Sequence, residues 1–285
     1  MAVQGPTLVR KQLGRRLRQL RDASGLTERQ ILAETDLSKS TLYFIEQGLR
    51  TVKRRNVREL CRVYQADASV TEALVRLADG TGERGWWEDF SDILPAWFRP
   101  YIGLEAAADR LMSYEPDLVH SLLQTVDYAT VVFQASHPDA DQAGLDRHLA
   151  LLAKRQRAVF DRDPAIEITA LLGEGVLARE VGSPELMAGQ IQHLRLLRQR
   201  AKVDIRILPW TAGAHPAMTG GFALLAFNDP LDPTFVYLET QVGAHYLEDQ
   251  AQIDVYRNVF DHVGKLCVPI EEHLFKPSVD KDRTT

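Results

Sequence analysis

Four side chains between residues 39 and 43 have the chemistry to hydrogen-bond to the edges of nucleic-acid bases. They are Lys39, Ser40, Thr41 and Tyr43. Lysine suits the O6 and N7 acceptors of guanine, hydroxyl groups adapt to either donor or acceptor, and a threonine methyl fits the methyl of thymine. If this stretch is a helix, these side chains share its outer face. They are therefore candidate contacts to bases in the major groove of double-stranded DNA.

Two short helices joined by a tight turn would position these side chains. Thr27 is a candidate cap for the first helix, Ser38 is one for the second, and Asp36 lies in the turn between them. Leu42 and Ile45 recur at helical spacing and would pack inward. This layout predicts a helix-turn-helix, in which the second helix enters the major groove.

Basic and polar residues around the second helix are candidate contacts to DNA phosphates. They are Arg29, Gln47, Arg50, Lys53 and Arg54. Phosphate contacts provide affinity and register but little sequence specificity. The alternative is a helical hairpin whose basic face is only solvated.

The distribution of charge favours the interpretation that the N-terminal part binds DNA. The whole chain has a net charge of −5, yet residues 1–64 hold fourteen Lys and Arg against six Asp and Glu. The rest of the chain has a net charge of −13. A basic N-terminal part on an acidic remainder indicates a polyanion-binding domain, and DNA should repel the remainder.

The length of 285 residues suits two domains. The sequence predicts an all-α helix-turn-helix domain over 1–78, a glycine-rich linker over 79–85, an α+β domain with a small mixed sheet over 86–276, and a disordered tail over 277–285. Neither a signal peptide nor an apolar run of membrane-spanning length is present, so a cytoplasmic protein is expected.

The second part of the chain mixes helical and strand patterns. Helices are predicted over about 103–114, 125–135, 145–160, 184–200 and 252–267. Strands are predicted over about 165–172, 203–208, 222–227 and 235–240. The last two strands flank a turn-rich segment over 228–233, which indicates a hairpin.

Signatures of catalysis and of metal binding are missing from the sequence. It contains no His-Glu-x-x-His, no Cys-x-x-Cys, no Gly-x-Ser-x-Gly and no P-loop. We therefore expect no enzyme, no metal and no cofactor. The glycine-rich loop over 213–221 could line a pocket, although a plain connection between strands is the alternative.

The N-terminal motifs resemble the Cro/repressor-type helix-turn-helix, also called the xenobiotic-response-element family, over about residues 9–65. Gly25-Leu26-Thr27, the stretch from Leu37 to Leu42, and Ile45-Glu46-Gln47-Gly48 carry the resemblance. It implies a regulator that binds an operator. Glu28 departs from the family, which usually has a glutamine there that touches the DNA backbone and braces the recognition helix. An acid at that position should repel phosphate.

The remainder, over about 86–275, resembles the C-terminal domain of actinobacterial WhiJ-like regulators. Leu122-Leu123-Gln124-Thr125, Gly213-Ala214-His215-Pro216 and Val236-Tyr237-Leu238-Glu239 are among the matching motifs. The resemblance implies an antitoxin-like pairing with a small acidic protein. Candidate partner or ligand contacts are Leu123, Gln124, Thr125, Tyr128, His215 and Glu239.

Together these observations predict a DNA-binding transcriptional regulator that acts as a homodimer, since a single helix-turn-helix reads only a half-site. Its second domain would serve dimerisation and the binding of a partner or ligand. The alternatives are an antitoxin-like protein-interaction module with secondary DNA contact, which Glu28 favours slightly, and an enzyme with a DNA-targeting head.

Overall fold

The computed structural model describes residues 6–80, 85–200, 202–228 and 234–275. The described residues form two compact units, divided between Ala107 and Ala108. The first unit therefore continues past the predicted linker, and the aromatic segment that begins at Trp86 packs within it. Residues 81–84 of that linker, residues 229–233 of the predicted turn over 228–233 and the predicted tail over 277–285 lie outside the described residues.

The first unit is helical, as the sequence predicts. Its helices are α1 (Pro6–Ser24), α2 (Glu28–Ala33), α3 (Lys39–Glu46), α4 (Arg54–Val63), α5 (Ala68–Gly80) and α6 (Arg99–Ala107). Leu13 and Leu17 of α1 are completely buried, and so are Ile31 of α2 and Leu60 of α4. Leu13 and Leu17 are four residues apart, and Val57, Leu60 and Cys61 of α4 follow the same helical spacing, so these two helices each contribute one apolar face to a shared core.

The second unit has an α+β fold. Its helices are α7 (Val126–Ser136), α8 (Gln142–Phe160), α9 (Glu174–Ala178), α10 (Pro184–Arg198), α11 (Gln250–Leu266) and α12 (Ile270–Phe275). Its strands are β1 (Arg110–Glu115), β2 (Glu167–Gly173), β3 (Val203–Leu208), β4 (Phe222–Ala226), β5 (Phe235–Thr240), β6 (Gly243–Leu247) and β7 (Val268–Pro269). No helix within the described ranges is long and apolar enough to cross a bilayer.

The seven strands form one mixed sheet in the order β6-β5-β4-β1-β2-β3-β7. β1, β2 and β3 are parallel, and every other pairing is antiparallel. One face packs on α7 and α10 around Ala170 and Ile205. The other face packs on α11 around Leu224 and Val236. The sheet is therefore covered by helices on both faces, as its apolar strands require.

Part of the sequence prediction for this unit is wrong. The predicted helix over 103–114 ends at Ala107, and residues 110–115 form β1, the central strand. Two neighbours bond β1 along both edges, with Leu111 opposite both Ile168 of β2 and Leu225 of β4. Such non-local pairing overrides a helical pattern read from adjacent residues. The short strands β6 and β7 also make the sheet larger than the four predicted strands.

Candidate nucleic-acid interface

The two short helices of the predicted motif begin at strong local caps. The Thr27 side chain accepts a hydrogen bond from the backbone of Gln30, and the Gln30 side chain accepts one from Thr27 N at 2.9 Å. Ser38 caps α3, because its Oγ accepts from Thr41 N at 3.1 Å. Helices of six and eight residues are too short to be stable alone, so these caps and the core define where they begin.

The buried face of α3 is held tightly against α1. Leu42 and Ile45 are 2% and 1% exposed. A Cβ at Gly14 of α1 would lie only 2.5 Å from Ile45 O, so the two backbones touch where a side chain has no room. Gly48, with φ +63°, turns the chain after α3 in a conformation that glycine adopts without strain. The outward face of α3 is therefore fixed in direction.

Three of the four predicted base contacts lie on this outward face, and Thr41 lies at its border. Lys39, Ser40 and Tyr43 are exposed, and Thr41 is half-buried. The Ser38 hydroxyl lies 3.0 Å from Ser40 Oγ and 2.8 Å from Thr41 Oγ1, which places three hydroxyls together at the start of the helix. A depression of about 560 Å³ opens here. Its lining residues are Glu28, Ser38, Lys39, Ser40 and Tyr43.

The five predicted phosphate contacts lie on the elements that flank α3. Arg29 is exposed in the first turn of α2, and Gln47 is the half-buried C-cap of α3. Arg50, Lys53 and Arg54 are exposed on the following loop and at the start of α4. Polar or cationic groups are therefore exposed or half-buried both before and after α3 in the chain.

An ion pair that the sequence analysis missed joins the two helix starts. Lys39 Nζ lies 3.0 Å from Glu28 Oε1, and the two side chains are 76% and 43% exposed. The expectation that Glu28 faces a phosphate did not include this partner. The one feature of the sequence that could have indicated this ion pair is position, because Glu28 and Lys39 are the first helical residues of α2 and α3.

The predicted partner contacts in the second unit divide into two groups. Four of them lie in the segment just before α7 or in its first turn. Leu123 and Tyr128 are completely buried, Gln124 donates to Val119 O at 2.8 Å, and Thr125 caps α7 by accepting from Tyr128 N. These side chains therefore pack or hydrogen-bond within the fold, whereas the neighbouring Val126 is 57% exposed.

The other two predicted contacts lie near the carboxyl end of β1. His215 packs edge-on against Tyr114 with ring centroids 5.7 Å apart, and its buried Nδ1 has no hydrogen-bond partner among the described residues. Glu239 accepts a hydrogen bond from Tyr237 at 2.8 Å. Burial raises the pKa of Glu115 to about 8, and the charge of Glu239 adds to that rise.

Within the described ranges, no group of three or more His, Cys, Asp or Glu residues is arranged to hold a metal ion. The structure therefore offers no metal-ligand set for the residues it describes. At the carboxyl end of β1, the half-buried Glu115 carboxyl group, His215 and neighbouring tyrosines lie close together.

Two protein-family models match this chain, one in its N-terminal part and one over most of the remainder. A helix-turn-helix domain model matches residues 12–74, which include α2, α3 and α4. The model called domain of unknown function DUF5753 matches residues 98–272. Neither the curated proteins nor the solved structures gave a match. With more than half of its length in the second match, the chain belongs to the DUF5753 family and carries a helix-turn-helix domain at its N-terminal end.

Proposed function

We propose that this protein is a cytoplasmic transcriptional regulator that binds an operator in double-stranded DNA. The observation that carries the proposal is α3, which is capped at Ser38, buried through Leu42 and Ile45, and open to solvent through Lys39, Ser40 and Tyr43. A helix of this kind can place the side chains of its first turns against base edges in the major groove.

The proposed roles of the residues on and around α3 follow from their chemistry and position. Lys39, Ser40, Thr41 and Tyr43 contact bases. Phosphate contacts come from Arg29, Gln47, Arg50, Lys53 and Arg54. The first group would set which sequence is bound, and the second would set affinity and its dependence on salt.

We further propose that the protein acts as a homodimer, with the second unit providing the contacts between copies. One helix-turn-helix reads a half-site, and two copies on a two-fold operator supply useful specificity. The second unit exposes large apolar side chains outside its strands and α-helices, including Trp210 at 67% and Met218 at 70%. Sedimentation of the full chain should give about twice 32.1 kDa. A monomer in solution that also binds DNA as one copy would contradict this.

The antitoxin-like alternative is favoured by one observation, the exposed apolar side chains within and just before residues 122–128. Leu118 is 41% exposed and Val126 is 57% exposed. In this alternative they contact a small acidic protein, and DNA binding is secondary. Co-purification from the native cell would then recover that protein in equal amounts with the full chain, whether or not DNA is present.

Selection of binding sites from a pool of random duplexes tests the main proposal. The full chain should enrich one sequence, and Ser40→Ala or Tyr43→Ala should weaken binding to it by about 1–3 kcal/mol for each lost base contact. Arg54→Ala should weaken all duplexes alike and should reduce the salt slope by about one. Arg157→Ala, an exposed arginine of the second unit, is the matched control. If no sequence is enriched and the variants bind like wild type, the proposal fails.

A further inference from the structure

The ion pair between Glu28 and Lys39 lies within the surface that α3 presents. Both residues line the depression beside Ser38, Ser40 and Tyr43. Each is the first residue of its helix, so the pair joins the starts of α2 and α3 where they emerge on the same side. A carboxylate and an ammonium group therefore stand 3.0 Å apart among the candidate base contacts.

This pair does little for the stability of the fold. Surface ion pairs typically contribute about 0–1 kcal/mol, and these side chains are 43% and 76% exposed. The capping box at Thr27 and the cap at Ser38 already define the two helix starts. The ion pair places one hydrogen-bond acceptor, the Glu28 carboxylate, next to one donor, the Lys39 ammonium group, and both are accessible to a ligand.

The major-groove edge of a G·C pair has the complementary arrangement. Guanine presents two acceptors, N7 and O6, and cytosine presents the N4 amino donor next to them. O6 and N4 are hydrogen-bonded to each other, so they lie about 2.9 Å apart. This spacing matches the 3.0 Å between Lys39 Nζ and Glu28 Oε1. Lysine has three donors, so one can remain on Glu28 while the other two reach N7 and O6.

An A·T pair does not match in the same way. Its edge runs acceptor, donor, acceptor and then methyl, so Lys39 finds one acceptor, adenine N7, where guanine offers two. Glu28 can accept from the adenine N6 amino group, but the second free donor of Lys39 then has no acceptor beside N7. An A·T pair therefore makes one hydrogen bond fewer and leaves a donor of the ammonium group unpaired.

We propose that Glu28 and Lys39 act together as a specificity-determining pair that recognises one G·C base pair in each half-site. Lys39 donates to guanine N7 and O6, and Glu28 accepts from cytosine N4. The proposal rests on the proposed DNA-binding function and names the base pair that this part of the surface reads. It also gives Glu28 a role other than repulsion of the phosphates.

A double-mutant cycle on DNA tests the pair. The full chain is first used to select its operator, and each G·C position of the half-site is then replaced in turn by A·T. Wild type should lose about 10- to 100-fold in affinity at one position, which corresponds to about 1–3 kcal/mol. Both Glu28→Ala and Lys39→Ala should reduce the preference at that same position, and the double variant should lose little more than either single variant.

Glu34→Ala is the matched control for charge. Glu34 is exposed at the other end of α2 and lies 3.9 Å from Arg62 rather than near Lys39. Its removal should raise affinity for all duplexes and leave the base preference unchanged. Thermal unfolding followed by circular dichroism should give similar midpoints for all variants, which shows that the helices remain folded.

The outcomes separate this inference from the proposed function. If selection enriches no sequence, the proposed function itself fails. If an operator is found but Glu28→Ala raises affinity for every duplex with the G·C preference intact, Glu28 acts only by repulsion and the pair is overturned. A preference for A·T at the position that depends on Lys39 would also overturn it.

Discussion

Arg21 and Glu46 form an ion pair that joins α1 to the last turn of α3. Arg21 Nη1 lies 3.1 Å from Glu46 Oε2, and the Glu46 side chain is only 6% exposed. Burial raises the pKa of Glu46, and the charge of Arg21 opposes that rise. Helix α3 is therefore held against α1 by a buried ion pair at one end and by apolar packing along its length.

Removal of Arg21 should destabilise the first unit strongly. Arg21→Ala leaves the Glu46 carboxylate buried without its ion-pair partner, so that only the charge of Arg18 still opposes its burial, and loss of one partner of a buried pair typically costs about 3–5 kcal/mol. Urea unfolding measures this loss. Arg18→Ala, on the same helix with its side chain 55% exposed, should cost less than about 1 kcal/mol. Glu46→Gln should rescue part of the loss in the Arg21→Ala background, and equal losses for Arg18 and Arg21 would contradict the account.

Two glycine substitutions should change stability in opposite directions. Gly14→Ala places a Cβ 2.5 Å from the backbone oxygen of Ile45, so α1 and α3 must separate. We expect a loss of about 1–3 kcal/mol, with weaker operator binding. Gly189→Ala in α10 meets nothing within 4 Å and should stabilise by about 0.5–1 kcal/mol. Chemical unfolding of both variants checks this, and a neutral Gly14→Ala would show that the contact is not tight.

Gln190 should be essential to the second unit because it is fully buried and bonds two backbone groups. Its Oε1 accepts from Thr125 N at 2.7 Å, and its Nε2 donates to Leu123 O at 2.8 Å. Gln190→Leu leaves both groups without their partner, at about 1–3 kcal/mol each. The control is Gln192→Leu, an exposed position on the same helix. Similar unfolding midpoints for the two variants would refute this role.

The raised pKa of Glu115 predicts a pH-dependent stability. Folding raises this pKa from 4.5 to about 8, so the folded state holds the proton more tightly than the unfolded state does. The resulting stabilisation is fully present below pH 4.5 and is lost as the pH rises through about 8. Its slope is at most about 1.4 kcal/mol per pH unit.

Unfolding of wild type and Glu115→Gln at about pH 6 and about pH 8 tests this sign. The wild-type free energy of unfolding should fall over this interval by more than that of the variant. Glu180→Gln, at an exposed position, should behave like wild type. A variant with the same pH dependence as wild type would show that Glu115 does not carry the effect.

The helix-turn-helix could be predicted from the sequence because its determinants are local. Thr27 and Ser38 cap their helices as expected, and Leu42 and Ile45 are buried at the expected spacing. Each signal lies within a few residues of the feature it specifies. The roles of individual residues toward DNA stay predictions.

The centre of the sheet could not be predicted because its determinants are distant in sequence. The residues of β1 have a helical pattern when their sequence is taken alone. Their strand conformation depends on pairing with β2 and β4, whose residues lie more than fifty positions away. Likewise, the pairing of Glu28 with Lys39 depends on how two helices meet, which no periodicity within one helix encodes.

The position of β1 also sets the order in which the second unit can be completed during synthesis. The second edge of β1 is covered only when β4 has been synthesised and Leu225 can pair opposite Leu111. The first unit, in contrast, is assembled from helices that are close together along the chain. Local contacts form early, and long-range strand pairing forms late. A nascent chain that stops before Phe222 therefore contains β2, which covers one edge of β1, but leaves the other edge of β1 unpaired, a state that invites association with other chains or removal by proteases.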